Sequence, residues 1–313
     1  MNVTFARCAA ALLPLLALLP LPAVAASFDA RAFAAGASQV TEFSQTPALA
    51  QAVAIDSSLP TLVQASAYAR TDAAGIHLST VASATADRRV ADPSTVLSST
   101  QARAIGRFSD SFTVVARNQL LGTVGRARIS LSIDGTVGGS GSGGTDSTGW
   151  DGFASWEASA TFFSEEPFSW SGGRLFSSSQ YFPAGFIGPI NSSPLADFGQ
   201  QSFWVPVTFG VPLGFELKAE VASQAGAVIA ANRTGLVNGI YTANLSNTVA
   251  WGGILELRDA DGALVTDYTA RSDSVNFDYR QAYASAVPEL PVWSLMLLGT
   301  GLVAARRSKA SGL

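Results

Sequence analysis

Residues 127–134 read Ala-Arg-Ile-Ser-Leu-Ser-Ile-Asp. Ala127, Ile129, Leu131 and Ile133 alternate with Arg128, Ser130, Ser132 and Asp134. Successive side chains of a strand point to opposite faces, so this period of two sets one face on a core and one in water. Residues 154–163 repeat the pattern, with Ala154, Trp156, Ala158, Ala160 and Phe162 on one face. Residues 215–222 repeat it again, with Phe215, Leu217, Ala219 and Val221 opposing Glu216, Lys218 and Glu220. Half-buried strands of this kind belong to antiparallel sheets. Further strands are expected at 62–69, 76–84, 108–116, 203–208, 254–258 and 264–268. Turn signals fall at Asp72 to Gly75, at Asp134-Gly135 and at Asp261-Gly262. No long segment carries a 3.6-residue period, although the Ala-rich stretch 30–54 admits a short helix. The expectation is an all-β fold: one antiparallel β-sandwich of jelly-roll type over 26–286.

The run Gly135 to Gly149 holds seven of the 29 glycines. A phosphate-cradling loop would need a lysine, a following Ser/Thr and a helix, and these are missing. The run reads as a flexible hairpin loop.

Composition removes whole classes of function. Charged residues make up 13% of the 313, hydrophobic ones 48%, and mean hydropathy is +0.27. Disorder needs the opposite balance. The formal charge of −4 lacks the basic footprint of a nucleic-acid binder. One cysteine (Cys8) and one histidine (His77) support neither a disulfide framework nor an ordinary zinc site.

The chain ends have their own grammar. Arg7, the apolar run from Ala9 to Leu21 and Ala23-Val24-Ala25 form a signal peptide over 1–25, with Ala23 and Ala25 read by signal peptidase. Cys8 would be discarded with it. At the other end, Pro288, Glu289 and Pro291 precede the apolar span 292–305, followed by Arg306, Arg307 and Lys309. Basic residues after an apolar span hold that end in the cytoplasm. The span is shorter than the roughly 20 residues that cross a bilayer comfortably, so a buried core helix is the alternative to a transmembrane one.

This tail resembles the PEP-CTERM sorting signal of exported bacterial proteins, whose profile is also labelled an ice-binding-protein C-terminal domain. Val287, Pro288 and Glu289 match its motif, and Trp293, Met296, Gly299, Gly301, Arg306 and Arg307 match the span and basic cluster. Leu290 departs from the pattern and sets the second proline one place late, at Pro291. Residues 205–223 and 243–279 resemble body strands common in such proteins. The resemblance implies 287–313 as a sorting segment, transient holding in the inner membrane of a Gram-negative exopolysaccharide producer, and processing by an exosortase. The chain would end at the cell surface or in the extracellular matrix.

Candidate chemistry in the body is sparse. His77 sits in a strand-like run without a G-x-S-x-G elbow, and reads as a strand position rather than part of a triad. Glu157, Glu165 and Glu166 could supply paired carboxylates only at a set separation. Asp259-Ala260-Asp261-Gly262 opens like a calcium loop, but Ala270 stands where the twelfth-position Glu belongs, so a hairpin turn is expected. No catalytic residue, metal site or cofactor is expected. Aromatics crowd 150–182. Trp156 and Phe162 share a core face, whereas Trp150, Phe168 and Trp170 adjoin Gly, Ser or Pro and are expected to be exposed. Trp150, Trp170 and Tyr181 are the candidate glycan contacts. The leading expectation is a non-enzymatic surface or exopolysaccharide-matrix protein. The alternatives are a carbohydrate-binding module and, with least support, a secreted hydrolase.

Overall fold

The computed structural model describes residues 26–35, 48–57, 60–72, 75–143, 148–164, 166–181, 186–192, 199–274 and 277–283. Only the backbone is described at 35, 176, 178–181, 186–192 and 246–248. Residues 1–25, expected as a signal peptide, and the span 292–305 lie outside these residues. Among the described residues no helix is long and apolar enough to cross a membrane.

The described strands are β1 (Ser27–Ala35), β2 (Ala48–Asp56), β3 (Thr61–Asp72), β4 (Gly75–Arg88), β5 (Val96–Ala116), β6 (Val124–Ile133) and β7 (Thr136–Gly143). They continue with β8 (Thr148–Phe163), β9 (Phe168–Tyr181), β10 (Phe186–Ser192), β11 (Gly199–Thr208), β12 (Pro212–Ile229), β13 (Gly235–Arg258) and β14 (Tyr268–Ser272). They form two antiparallel sheets. The first runs β1-β5-β12-β8-β9-β10, with β14 also on β5. The second runs β11-β6-β13-β4-β3-β2, with β7 also on β13. Pairings across the middle of the chain are nested. β8 pairs β9, β6 pairs β11, β5 pairs β12 and β4 pairs β13.

The alternating stretches lie where the period of two puts them. Ala127, Ile129, Leu131 and Ile133 are buried on β6, and Phe215, Leu217, Ala219 and Val221 are buried on β12. Asp72 and Gly75 face each other across the β3–β4 reversal. Asp259 N to Ala263 O (3.0 Å) closes the turn at Asp261-Gly262.

Four expectations are corrected. The Ala-rich stretch is strand, not helix, in its described parts. Alternation there buries Ala30, Ala32 and Ala34 on β1 and Ala48, Ala50, Ala52 and Ala54 on β2. Residues 264–268 hold one bridge, Arg258 to Leu264, and β14 starts only at Tyr268. Asp134-Gly135 does not reverse the chain. β6 and β7 run one after the other along the same edge of β13, from Arg126 opposite Arg258 to Gly143 opposite Val237.

The glycine run is the fourth correction, because residues 136–143 are strand β7 rather than a loop. Two of its glycines, Gly139 and Gly141, are there for clearance. A Cβ at Gly139 would lie 2.3 Å from the Tyr241 ring, and one at Gly141 would lie 2.1 Å from the Trp150 ring. Aromatic rings cover the glycines and supply the packing that a bare backbone lacks.

β1 and β14 meet end to end along one edge of β5. β1 begins with Ser27 opposite Ser109, and β14 ends with Ser272 opposite Phe112. Between them stands Asp110, fully buried. Its carboxyl accepts from Ser272 Oγ (2.7 Å), Ser274 Oγ (2.5 Å) and the Tyr279 hydroxyl (2.5 Å). Burial, then the hydrogen bond and charge of Asp110, hold the Tyr279 phenol far above its usual range, so it stays a donor.

Candidate functional site

The outward face of the first sheet carries a depression of about 430 Å3. Register explains its shape. Phe33 on β1 pairs Arg103 on β5, which pairs Ala222 on β12. One row along, Ile105 pairs Glu220, and on the far side Gln224 pairs Phe153 of β8. Small Ala222 forms the floor, and half-buried Phe33 and Phe153 stand on either side. Two strands separate them, so the walls are roughly 14 Å apart at about 4.8 Å per strand step. Arg103 Nε donates to Glu220 Oε1 at 2.7 Å across the floor. That bond raises the Arg103 guanidinium above its ordinary value. Arg31, tied to Asp29 at 3.0 Å, edges the same hollow. Apolar walls beside a donor–acceptor pair suit a flat ligand with C–H faces and hydroxyl edges.

A second depression, of about 780 Å3, lies between Pro60 and the 87–97 segment. Its buried Arg88 donates to the carbonyls of Asp92 (3.2 Å), Ser94 (2.7 Å) and Ala230 (3.3 Å). That guanidinium holds loops together.

The aromatics expected to bind divide differently from expectation. Trp150 is buried at 7% exposure, which corrects its placement as an exposed contact. The ring lies over Gly141 of β7, which has no side chain to displace it. Trp170 is half-buried and stacks on Phe203, with centroids 6.5 Å apart and planes at 20°. Phe168 also packs inward, 4.8 Å from Phe203. Tyr181 pairs Gly149 in the ladder, and its side chain lies outside the described ones. Trp150 and Trp170 stand opposite Gln180 and Ala160, ten ladder positions or roughly 33 Å apart. They form no common exposed row. Trp156 and Phe162 are buried as expected.

The remaining candidates are quickly placed. Glu157 is exposed and lies opposite Glu220, while Glu166 lies in the turn beyond β8. About 20 Å of strand separates Glu157 from that turn, too far for a two-carboxylate mechanism. Glu165 lies outside the described residues. His77 is buried on β4. Asp259 Oδ1 accepts from the Asp261 and Ala263 amides at 3.1 and 2.8 Å, and Oδ2 from Gln119. Its carboxylate thus serves the turn. Among the described residues no cluster of three His, Cys, Asp or Glu could hold a metal. Ala23, Ala25, Val287, Pro288, Glu289, Pro291, Arg306 and Arg307 all lie outside the described residues.

Sequence reasoning missed the hollow. Phe153 lay inside the aromatic-rich stretch, but Phe33 lay in the Ala-rich run, where the strand alternation was not resolved. No local signal links Arg103 to Glu220, which are 117 positions apart. No family model matches the chain, and no curated protein matches it.

Proposed function

We propose that this chain is an exported, non-enzymatic protein of the bacterial surface or exopolysaccharide matrix, with a jelly-roll body and a sorting tail. Signal peptidase removes 1–25. The span 292–305 then holds the chain in the inner membrane as a transmembrane helix, and an exosortase processes it near Val287-Pro288-Glu289. The observation that carries this reading is the tripartite tail: the Val287–Pro291 motif, an uncharged apolar span, then Arg306-Arg307. One feature of the body supports it. The nested pairing of β4–β6 and β8 with β9 and β11–β13 is the order of a rolled double hairpin. The test is intact mass from wild-type cells and from cells lacking the exosortase. A mass that starts at Ala26 and ends within Val287–Pro291, only when the exosortase is present, is expected. Retention of Arg306-Arg307 in both strains would overturn the reading.

The hollow at Phe33, Ala222 and Phe153 favours a second role for the same body, as a carbohydrate-binding module of that matrix. One face of a sugar presents C–H groups that pack on a phenyl ring, and its hydroxyls reach the Arg103–Glu220 pair. Oligosaccharides cut from the producer's exopolysaccharide would be titrated against the protein by calorimetry. Phe33→Ala should weaken binding about 3- to 10-fold. Unchanged affinity in that variant would rule out this face.

A further inference from the structure

The junction of β1 and β14 holds an unusual ending. The Ala26 nitrogen donates to Ser274 Oγ at 2.9 Å, and Ser274 Oγ donates onward to Asp110 Oδ1 at 2.5 Å. Asp110 is fully buried, and its side-chain donors are the hydroxyls of Ser272, Ser274 and Tyr279. Among the described residues no ion pair reaches it. A buried carboxylate without a counter-charge costs stability, even when it is hydrogen-bonded. The groups facing this corner are Asp110 from β5, Asp273 beside Ser274, and Tyr279 from the closing segment. Asp273 is held by the hydroxyls of Ser111 (2.8 Å) and Thr113 (2.9 Å). None of these supplies a positive charge.

We propose that this corner is a binding site for the chain's own α-ammonium, created by cleavage between Ala25 and Ala26. The inference rests on the proposed signal-peptidase step. Water hydrolyses the Ala25–Ala26 peptide bond. The new carboxylate leaves on residue 25, and the Ala26 nitrogen takes up protons to become an ammonium with three N–H donors. Before the cut, that nitrogen has one N–H and no charge. After it, one N–H still reaches Ser274, and the charge lies two hydrogen bonds from Asp110. An opposite charge at about 4–6 Å favours the ammonium form. β1 is thereby pinned at the residue before its start, next to the end of β14, and export processing completes the fold's edge.

The sign of the pH effect follows. An α-amino group that gains an anionic partner has its folded pKa raised above the ordinary value of about 8. Its stabilisation is fully present below the unfolded value and is lost as pH rises through the folded one.

The test replaces residues 1–25 by a protease recognition sequence ending immediately before Ala26. All described strands lie after that point. Thermal unfolding is measured uncut and cut, at pH 7 and at pH 10.5. The cut form should melt about 2–4 °C higher at pH 7, with the gain gone at pH 10.5. Ser274→Ala, at an exposed position, should erase the gain while the protein still folds. Asp110→Asn should erase it too, where that variant folds. Equal melting at pH 7, or a gain that survives in Ser274→Ala, overturns the proposal. N-terminal sequencing of the exported protein separates the two layers. A start other than Ala26 overturns the processing step, whereas the in-vitro cut reports on the acceptor site alone.

Discussion

The core has an alanine region and an aromatic region, built on the same pleat. On β1 to β4 most inward positions are alanine: Ala30, Ala32 and Ala34, Ala50 and Ala52, Ala65, Ala67 and Ala69, then Ala82, Ala84 and Ala86, each at most 4% exposed. Around the closing segment the inward positions are Phe108, Phe112, Phe162, Phe215, Trp251 and Tyr279, all buried. Their rings meet at 5.0–6.4 Å, as with Phe112 on Tyr279, Phe215 on Trp251 and Phe162 on Trp251. Alanine has no side-chain rotamer to lose and little area to bury, so that region is defined by close approach. The rings bury far more area and are oriented by one another and by a fixed hydrogen bond, Trp251 Nε1 to Tyr279 O at 2.8 Å. β2 shows what this means for reading faces. Its buried side is alanine, while Leu49, Val53 and Ile55 on the other side are about half exposed. Hydrophobicity alone would have chosen the wrong face, because volume decided it.

Four substitutions break or sharpen this contrast, in falling order of effect. Phe215→Ala removes the ring that touches Phe108, Phe112, Phe162, Trp251 and Tyr279. It should cost about 3–5 kcal/mol in urea unfolding, because a cavity remains. Ala67→Leu, in the alanine region, should cost about 1–3 kcal/mol from overpacking. A loss below 0.5 kcal/mol there would mean the sheets can part freely.

Tyr279→Phe deletes a donor to buried Asp110 and should cost about 1–3 kcal/mol at pH 7. It also carries a pH signature. The native phenol is held above its unfolded value of about 10, so its stabilising share is present below pH 10 and lost as pH rises past it. The wild type should lose stability above about pH 10 more steeply than the variant, as followed by unfolding at pH 9 and pH 11. Leu49→Ala, on the outward side of β2, should move stability by less than about 0.5 kcal/mol. A larger loss would show that this face is covered in solution.

Much of the β pattern was legible beforehand. β6, β8 and β12 alternate over many residues, and each long run repeats the same local preference. The glycine strand was not legible, because only the rings of Tyr241 and Trp150 make bare backbone at Gly139 and Gly141 necessary. The exposure expected of Trp150 failed for the same reason. Glycine beside an aromatic signals a loop or a seat for the ring, and the choice depends on a partner far along the chain, as Tyr241 is from Gly139, or on the facing sheet, as Trp150 is for Gly141.

Residue order alone makes this chain all-β and antiparallel and sets where most strands lie. Strand periodicity is a local property, set by pleat geometry and the polarity of neighbouring residues. The tertiary structure alone decided the nested pairing, the alanine and aromatic regions, the hollow between Phe33 and Phe153, and the meeting of Ala26 with Ser274 beside Asp110. Each of these joins residues far apart along the chain. Their chemistry exists only once strand pairing and sheet packing bring them within contact distance.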